Sequence, residues 1–375
     1  MKTINFITPH YLPEISPCTN RVLSYINELE KHYNINVICL SEKGTYEDKL
    51  IVEQSNRVKI YYVNQKQFDG KKFITRALNE MYYIVRLVLV ANKIKSDITI
   101  ATTPYMFIIP LVGYFGKGKK ILDIRDLVWE YLNKKSFIKK LLTLVMKKSM
   151  NKFDKIIVTN EYEKNILENE YKKKEITIIH NGIDIVKFNK LSNIKVRNNK
   201  KFTVTYVGNI GLAQNIKILV MAAEMLPNVD FKIVGDGAEM KSLENYSNKH
   251  RIKNIEFTGK LDWNELEYYY QTSSILYAQL DEKFISAVPS KLYEYASIGL
   301  PIIFGGTGIA VKLMNELENT FVIKPNSVNE LVNAIDKIVS SEILISNKNK
   351  NHIEENYLRN KVVLKINKLI EDIYE

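Results

Sequence analysis

The chain has 375 residues, of which 46% are hydrophobic and 26% charged, and a formal net charge of +12. That length is enough for two domains with cores of their own, and the absence of any run of 18 or more apolar residues excludes a transmembrane helix. Two cysteines, Cys18 and Cys39, form neither a disulfide framework nor a metal-binding spacing.

The first residues run straight into a strand with no signal peptide, so a reducing cytosol is expected. The charge is uneven. Residues 1–185 hold 30 Lys+Arg against 20 Asp+Glu, and the remainder 24 against 22. The basic excess therefore sits in the first half and implies an acidic surface as its partner. Nucleic acid fits poorly, because no basic groove interleaved with aromatics occurs.

In chain order, Thr3–Thr8 reads as a strand, followed by a loop over 9–18. Thr19 is expected to cap a helix with Val22, Leu23, Ile26 and Leu29 inward. Asn36–Leu40, Val58–Val63, Asp97–Ala101, Lys120–Ile124, Lys155–Thr159 and Ile176–Ile179 follow as strands, most of them separated by helical patterns. A second series follows a lysine- and asparagine-rich stretch: Phe202–Val207, Asp230–Val234, Ile255–Phe257, Ile275–Tyr277, Pro301–Phe304 and Thr320–Ile323. This alternation predicts two Rossmann-like, doubly wound parallel sheets: a domain over 1–185, a linker over 186–201 and a second domain over 202–350. A C-terminal helical segment over 351–375 is expected to pack back toward the first domain. Ligands of such sheets bind beyond the carboxyl ends of the strands, so a cleft between the domains is the expected site.

The most informative stretch is Ala287–Phe304. Pro289 suits the first position of a helix, Gly299 the residue just past its end, and Ile302–Phe304 a buried strand. The amides of Ser290 and Lys291 at the helix start form an anion site to which the Lys291 ammonium adds a full charge. Glu294 lies one turn on, placed for sugar or ribose hydroxyls. An ordinary capped helix in which Lys291 and Glu294 merely pair would read the same way.

Other positions extend the pattern. Gly208, Asn209, Gly211 and Gln214 follow the Phe202–Val207 strand, where glycines let backbone approach phosphate, although the full dinucleotide fingerprint is absent. Gly235 opens a tight turn of the same class; most such turns are structural. Gly259 and Lys260 offer groups that could read a base edge. Arg125, Asp126 and Glu130 stand at a strand's carboxyl end, where charge is costly unless a ligand uses it or Arg125 and Asp126 pair. His10 lies in the first loop. Residues 134–148 combine lysines with apolar residues at helical spacing, which reads as a core-packed helix with a solvated face or as a dock for anionic lipid. No Asp-x-Asp pair exists to hold a metal–diphosphate complex, so helix amides and Lys291 are expected to hold the diphosphate without metal.

Asn-Gly-Ile-Asp at 181–184 with Phe188, Pro-Ser-Lys-Leu-Tyr-Glu-Tyr at 289–295 with Gly-Leu-Pro at 299–301, Tyr-Leu-Pro-Glu at 11–14, and Arg-Asp-Leu at 125–127 with Glu130 resemble motifs of the GT-B glycosyltransferases of family 4. The closest likeness is to the branch containing the N-acetylfucosaminyl (WbuB-like) transferases of O-antigen and capsule synthesis. The resemblance implies retaining transfer from a UDP-linked nucleotide-sugar to a polyprenyl-diphosphate-linked acceptor at the cytoplasmic membrane face, with no cofactor. It implies donor contacts at Gly208, Asn209, Gly211, Gln214, Gly235, Lys260, Ser286, Pro289, Ser290, Lys291 and Glu294, with Glu294 on the ribose. Acceptor contacts are expected at His10, Tyr11, Glu14, Arg125 and Glu130, and Asp126 is expected to orient or deprotonate the acceptor hydroxyl. The chain departs from the family where Ser286 replaces the first of its paired glutamates, where Asn209 and Gln214 replace its Arg and Lys, and where Ser16-Pro17 replaces its glycine pair. Also absent is the common histidine after the 121–124 strand, with Arg125 or Asp126 in its place. A sugar-nucleotide epimerase or hydrolase on the same fold, or a non-catalytic assembly partner, remain as alternatives.

Overall fold

The computed structural model describes residues 1–14, 16–41, 51–65, 73–131, 137–172, 175–197, 201–341 and 345–374. The chain divides into two compact units, 1–181 with 359–375, and 182–358.

The first unit holds β1 (Thr3–Ile7), β2 (Asn34–Leu40), β3 (Ile51–Ser55), β4 (Val58–Val63), β5 (Ile98–Thr102), β6 (Lys119–Asp123), β7 (Lys155–Val158) and β8 (Ile176–Ile178), in the sheet order β3-β4-β2-β1-β5-β6-β7-β8. The pairings are parallel except β3 with β4. The edge strand β3 was not expected. Its five residues are all exposed, so it lacks the buried alternation that reveals a strand in sequence.

The second unit holds β9 (Thr203–Val207), β10 (Asp230–Val234), β11 (Ile255–Gly259), β12 (Ile275–Gln279), β13 (Ile302–Gly305) and β14 (Thr320–Ile323). They form a wholly parallel sheet in the order β11-β10-β9-β12-β13-β14. Helices cover both faces of each sheet, which is why central strands such as β5 and β12 are buried throughout. In the second sheet, strand order reverses between β9 and β12. The crevice beyond the carboxyl ends of these two strands is where such a sheet accepts ligands.

Three expectations are corrected. Ser16, not Thr19, caps the first helix (Pro17–Leu29): its hydroxyl accepts from the Thr19 amide, and Pro17 takes the first turn. The 186–201 stretch is not a free linker. Asp184 caps a helix (Ile185–Ser192) whose Phe188 and Leu191 join the second unit's core, with Ile194 after it; residues 198–200 lie outside the described residues. The C-terminal segment is shared. A helix (Asn347–Asn356) belongs to the second unit, whereas Val362, Val363, Ile366, Leu369, Ile370 and Ile373 bury themselves in the first unit's core.

One buried ion pair organises the first unit. The Arg21 guanidinium meets Asp123, at the end of β6, with Nη2–Oδ1 at 2.8 Å. The same carboxylate accepts from Tyr25 at 3.1 Å and from Thr102 at 2.8 Å, and Arg21 Nη1 donates to the Ile179 carbonyl at 2.9 Å. Removing one partner strands the other charge in a dry interior, so Arg21→Met should cost about 3–5 kcal/mol in urea denaturation. The double variant Arg21→Met/Asp123→Leu should recover most of that loss; additive losses would show that the pair is not coupled.

Candidate functional site

β9 is followed by Gly208, whose φ of +142° is open to glycine but strained for other residues. The Gly208 amide donates to the Val234 carbonyl at 2.9 Å, and the Ile210 amide to the Asp236 carbonyl at 3.0 Å. These bonds stitch the loop after β9 to the loop after β10. The fit leaves no room for side chains. A Cβ on Gly235 would lie 1.9 Å from the Gly208 carbonyl oxygen, and one on Gly237 would lie 2.3 Å from that of Ile210. Gly235 thus acts through loop packing, and it also lines the cavity described below.

The helix Ser290–Ile298 begins one residue later than expected. Pro289 is its N-cap residue, with φ −59° and ψ 128°, and provides no side-chain cap; the Leu292 amide donates to the Pro289 carbonyl at 3.0 Å, which leaves the Ser290 and Lys291 amides for an anion. Gly299 closes the helix in the left-handed region, at φ +85°. Tyr295 pins the helix to the end of β9: its hydroxyl accepts from the Val207 amide at 2.9 Å and donates to the Val207 carbonyl at 3.3 Å.

Lys291 and Glu294 do not pair. Glu294 takes Lys187 at 2.6 Å instead, and Lys187 is presented by the helix that Asp184 caps. The Lys291 ammonium is buried without a hydrogen-bond partner. It lies 3.7 Å above the Tyr206 ring centroid, and a Cβ on Gly208 would come within 2.8 Å of it. Burial lowers its pKa from the ordinary lysine value to about 7, with the Glu294 carboxylate opposing the shift. A buried ammonium with no hydrogen-bond partner, beside a glycine loop and an uncapped helix start, presents the positive potential that suits an anionic ligand.

Next to it, a cavity of about 330 Å³ opens at the carboxyl ends of β9, β10 and β11. Its lining comprises Val207, Gly208, Asn209, Val234, Gly235, Asp236, Lys260, Leu261 and Leu266. Gly211 and Gln214 adjoin Asn209, whose amide nitrogen is 3.3 Å from the Gln214 side-chain oxygen. Ser286 is buried, and Ser290 is exposed at the helix start.

Sequence reasoning missed two groups here. Lys187 carries no motif of its own; Asp184 as a helix cap was the available signal. Gln279, at the end of β12, uses its amide to hold the carbonyls of Gln214 and Asn215 and the amide of Asn326, all at 3.0–3.1 Å.

In the first unit, Glu14 Oε2 holds His10 Nδ1 at 2.8 Å, and the His10 ring meets Tyr105 edge-on. Tyr11 is 2% exposed, sits in the core and donates to Gln54, so its side chain serves packing rather than an exposed acceptor surface. Glu130 is likewise engaged. Its carboxylate accepts from Tyr171 at 2.5 Å and from Lys139 at 2.8 Å. The Arg125 amide donates to Thr103, and its Nε is buried with no hydrogen-bond partner. Asp126 is half-buried. The nearby carboxyl of Glu163, 1% exposed and bonded by the amide and hydroxyl of Thr159, was also missed. Burial raises the Glu163 pKa to about 7, opposed by the Thr159 bonds and reinforced by Asp126. Asn160-x-x-Glu163 is a helix-start pattern that could have drawn attention to it. Among the described residues, no cluster of three or more His, Cys, Asp or Glu is arranged to hold a metal ion, and no helix is long and apolar enough to cross a membrane.

Residues 19–187 match the model for Glycosyltransferase Family 4, and residues 187–372 match that for Glycosyl transferases group 1. The chain is a glycosyltransferase of the GT-B fold. An uncharacterized glycosyltransferase of Haemophilus influenzae is 24% identical over 359 residues, 92% of this chain and 94% of that protein. The sucrose-phosphate synthase of Thermosynechococcus elongatus superposes at a TM-score of 0.76 with 15% identity, over 100% of this chain and 99% of that one. Anabaena HepE, solved in complex with UDP and glucose, superposes at 0.70 with 13% identity, over 99% and 100%. At those identities the superpositions establish the fold.

The glycosyltransferase carries a stability cost at Lys291. The unfolded lysine retains its proton up to about pH 10, whereas the folded one releases it near pH 7. Between those values the unfolded state binds more protons, so the free enzyme should gain stability as pH rises from about 7 toward 10. Lys291→Met should stabilise the free enzyme at pH 6 and flatten this part of the profile in urea titrations. An unchanged slope would show that Lys291 titrates normally.

Proposed function

We propose that the enzyme transfers a sugar, with retention, from a UDP-sugar to a polyprenyl-diphosphate-linked saccharide at the cytoplasmic face of the membrane, in surface polysaccharide synthesis of the O-antigen or capsule type. The observation that carries the donor half is the buried, unpartnered Lys291 ammonium against Gly208 at an uncapped helix start. The complex of HepE with UDP and glucose supports a uridine nucleotide.

In this reading the diphosphate lies on the first-turn amides and Lys291, and the nucleoside occupies the cavity beside Lys260. The bond from the anomeric carbon to the diphosphate oxygen breaks as the acceptor oxygen bonds to that carbon. The acceptor hydroxyl proton passes to the departing diphosphate oxygen, with Asp126 orienting that hydroxyl. Charge develops on the leaving diphosphate, where preoriented donors act most strongly. Glu294, held by Lys187, is placed to accept from a ribose hydroxyl. With Lys291 and amides on the diphosphate, no metal is required, and turnover should persist in EDTA.

A second observation supports the membrane half. Eleven of the 25 exposed large hydrophobic side chains in the described residues lie on three helices of the first unit: Phe73–Ala91, Ile108–Phe115 and Phe137–Met150. They include Leu78, Met81, Tyr82, Val85 and Leu89 on the first, and Phe137, Ile138, Leu141 and Leu144 on the last. Glu80 is the one acidic residue in the sequence of these helices, against six Lys and Arg. An apolar face with basic flanks suits an anionic bilayer. Lys134, Lys135 and Ser136 of the expected 134–148 dock lie outside the described residues.

Lys291→Ala should weaken UDP binding about 10- to 150-fold by calorimetry, because one charge-assisted contact is lost. Wild-type affinity in that variant would remove the donor assignment. Consumption of a UDP-sugar at full rate without acceptor would favour the hydrolase or epimerase reading. For the membrane, Phe137→Ser/Ile138→Ser should reduce co-sedimentation with phosphatidylglycerol vesicles severalfold and leave transfer to a water-soluble acceptor unchanged. Undiminished sedimentation would rule out that face.

A further inference from the structure

Tyr206 has two engaged ends, and both face the donor loop. Its ring is buried in the second unit's core and presents one face to the Lys291 ammonium, 3.7 Å from the centroid. Its hydroxyl donates to the Asn209 carbonyl at 2.5 Å. Gly208 lies between these contacts, and a Cβ there would be 2.8 Å from Lys291 Nζ and 3.6 Å from the Tyr206 hydroxyl. No hydrogen bond fixes the ammonium, so the ring is what holds it against the loop.

We propose that Tyr206 is a positioning residue for donor binding: its ring face holds the Lys291 ammonium at the loop, and its hydroxyl fixes the loop by the Asn209 carbonyl. The inference rests on the reading of Lys291 as the cation for the donor diphosphate. The side chains at 209 and 214 are neutral amides, so neither brings a charge to the loop. A ring face attracts a cation electrostatically and does so more strongly where water is excluded. It also leaves the ammonium N–H groups unspent, whereas a carboxylate partner would neutralise the charge and compete with the phosphate. Tyr206 thus keeps a cation in place without quenching it.

The other titratable groups are Glu294 on the helix of Lys291, paired to Lys187 from the helix Ile185–Ser192, and the phenols of Tyr295 and of Tyr277 on β12, which neighbour Tyr206. Burial pushes the Tyr206 phenol above its ordinary range, so it stays neutral and keeps donating to Asn209. The ring's contribution to the ammonium therefore has a signature of its own: weakening the ring must lower the pH at which Lys291 discharges.

The test is UDP affinity by calorimetry from pH 6 to 9 in the full-length enzyme. Wild type should lose affinity as pH rises through the Lys291 midpoint. Tyr206→Phe keeps the ring and should retain the midpoint while losing affinity about threefold, since the loop lock is gone. Placing 3,4,5-trifluorophenylalanine at 206 keeps the shape but drains the ring face. It should lower the midpoint and cost about a further three- to tenfold at pH 7.5. Tyr206→Leu should do the same if it folds, and the fluorinated ring covers the case in which it does not. Equal midpoints for phenylalanine and its trifluoro analogue would overturn the role of Tyr206. Lys291→Met should bind UDP weakly and without pH dependence. Wild-type behaviour in that variant would instead overturn the donor reading itself, so the two failures are distinguishable.

Discussion

An ammonium buried without a hydrogen-bond partner governs the candidate site of the second unit. Desolvation works against Lys291, and a protein keeps such a charge only where something else requires it. The elements around it follow from holding that charge in place. Gly208 suits glycine because its φ of +142° strains any other residue, and Nζ lies 2.8 Å from where a Cβ would project. Gly235 and Gly237 must lack one because the neighbouring loop has to close onto the Gly208 loop. Tyr295 fixes the helix that carries the lysine to the strand that carries the glycine. Three glycines and a tyrosine that look unrelated in sequence answer one electrostatic demand.

The first unit treats its charges differently. Arg21 and Asp123, Lys139 and Glu130, and His10 and Glu14 are each satisfied within the unit. The Lys139–Glu130 pair extends through Tyr171 to the Trp129 indole at 2.6 Å, which fixes the basic helix Phe137–Met150 to the turn that follows Arg125 and Asp126. An exposed ion pair contributes little to stability, but this one is 10% and 14% exposed at its two side chains, so breaking it would leave a charge poorly solvated. The chain there spends its charge on architecture and leaves Arg125 Nε and Ser96 Oγ as buried donors without a partner.

Much of this was legible in the sequence because buried parallel strands announce themselves as β-branched, apolar runs; all thirteen expected strands are present, with ends shifted by a residue or two. β3 was invisible because it is exposed and lies at an edge. The helix at 290 was legible from Gly299 and the Pro289 break, but its first residue was misjudged: a proline before a helix serves equally well as N-cap or first position. The uncapped helix start with Lys291 in its first turn was legible as a pattern. What the pattern did not contain was the partner of Glu294, because Lys187 is more than a hundred residues away in sequence and meets it only through tertiary packing. Glu130 and Tyr11 were placed toward an acceptor by likeness of motif, yet burial and hydrogen bonds commit both side chains to the fold.

The position of Lys187 decides the character of the site. Lys291 and Glu294 stand three residues apart on one helix, a spacing at which opposite charges ordinarily pair. Such a pair would have left the loop facing a neutral surface. Asp184 caps the helix Ile185–Ser192 and so sets Lys187 in its first turn, where it takes Glu294 at 2.6 Å. With Glu294 already matched, Lys291 is left with the Tyr206 ring, which holds a cation without cancelling it. Asp184 therefore bears on the charge at Lys291 from another helix, by setting Lys187 where it matches the neighbouring carboxylate.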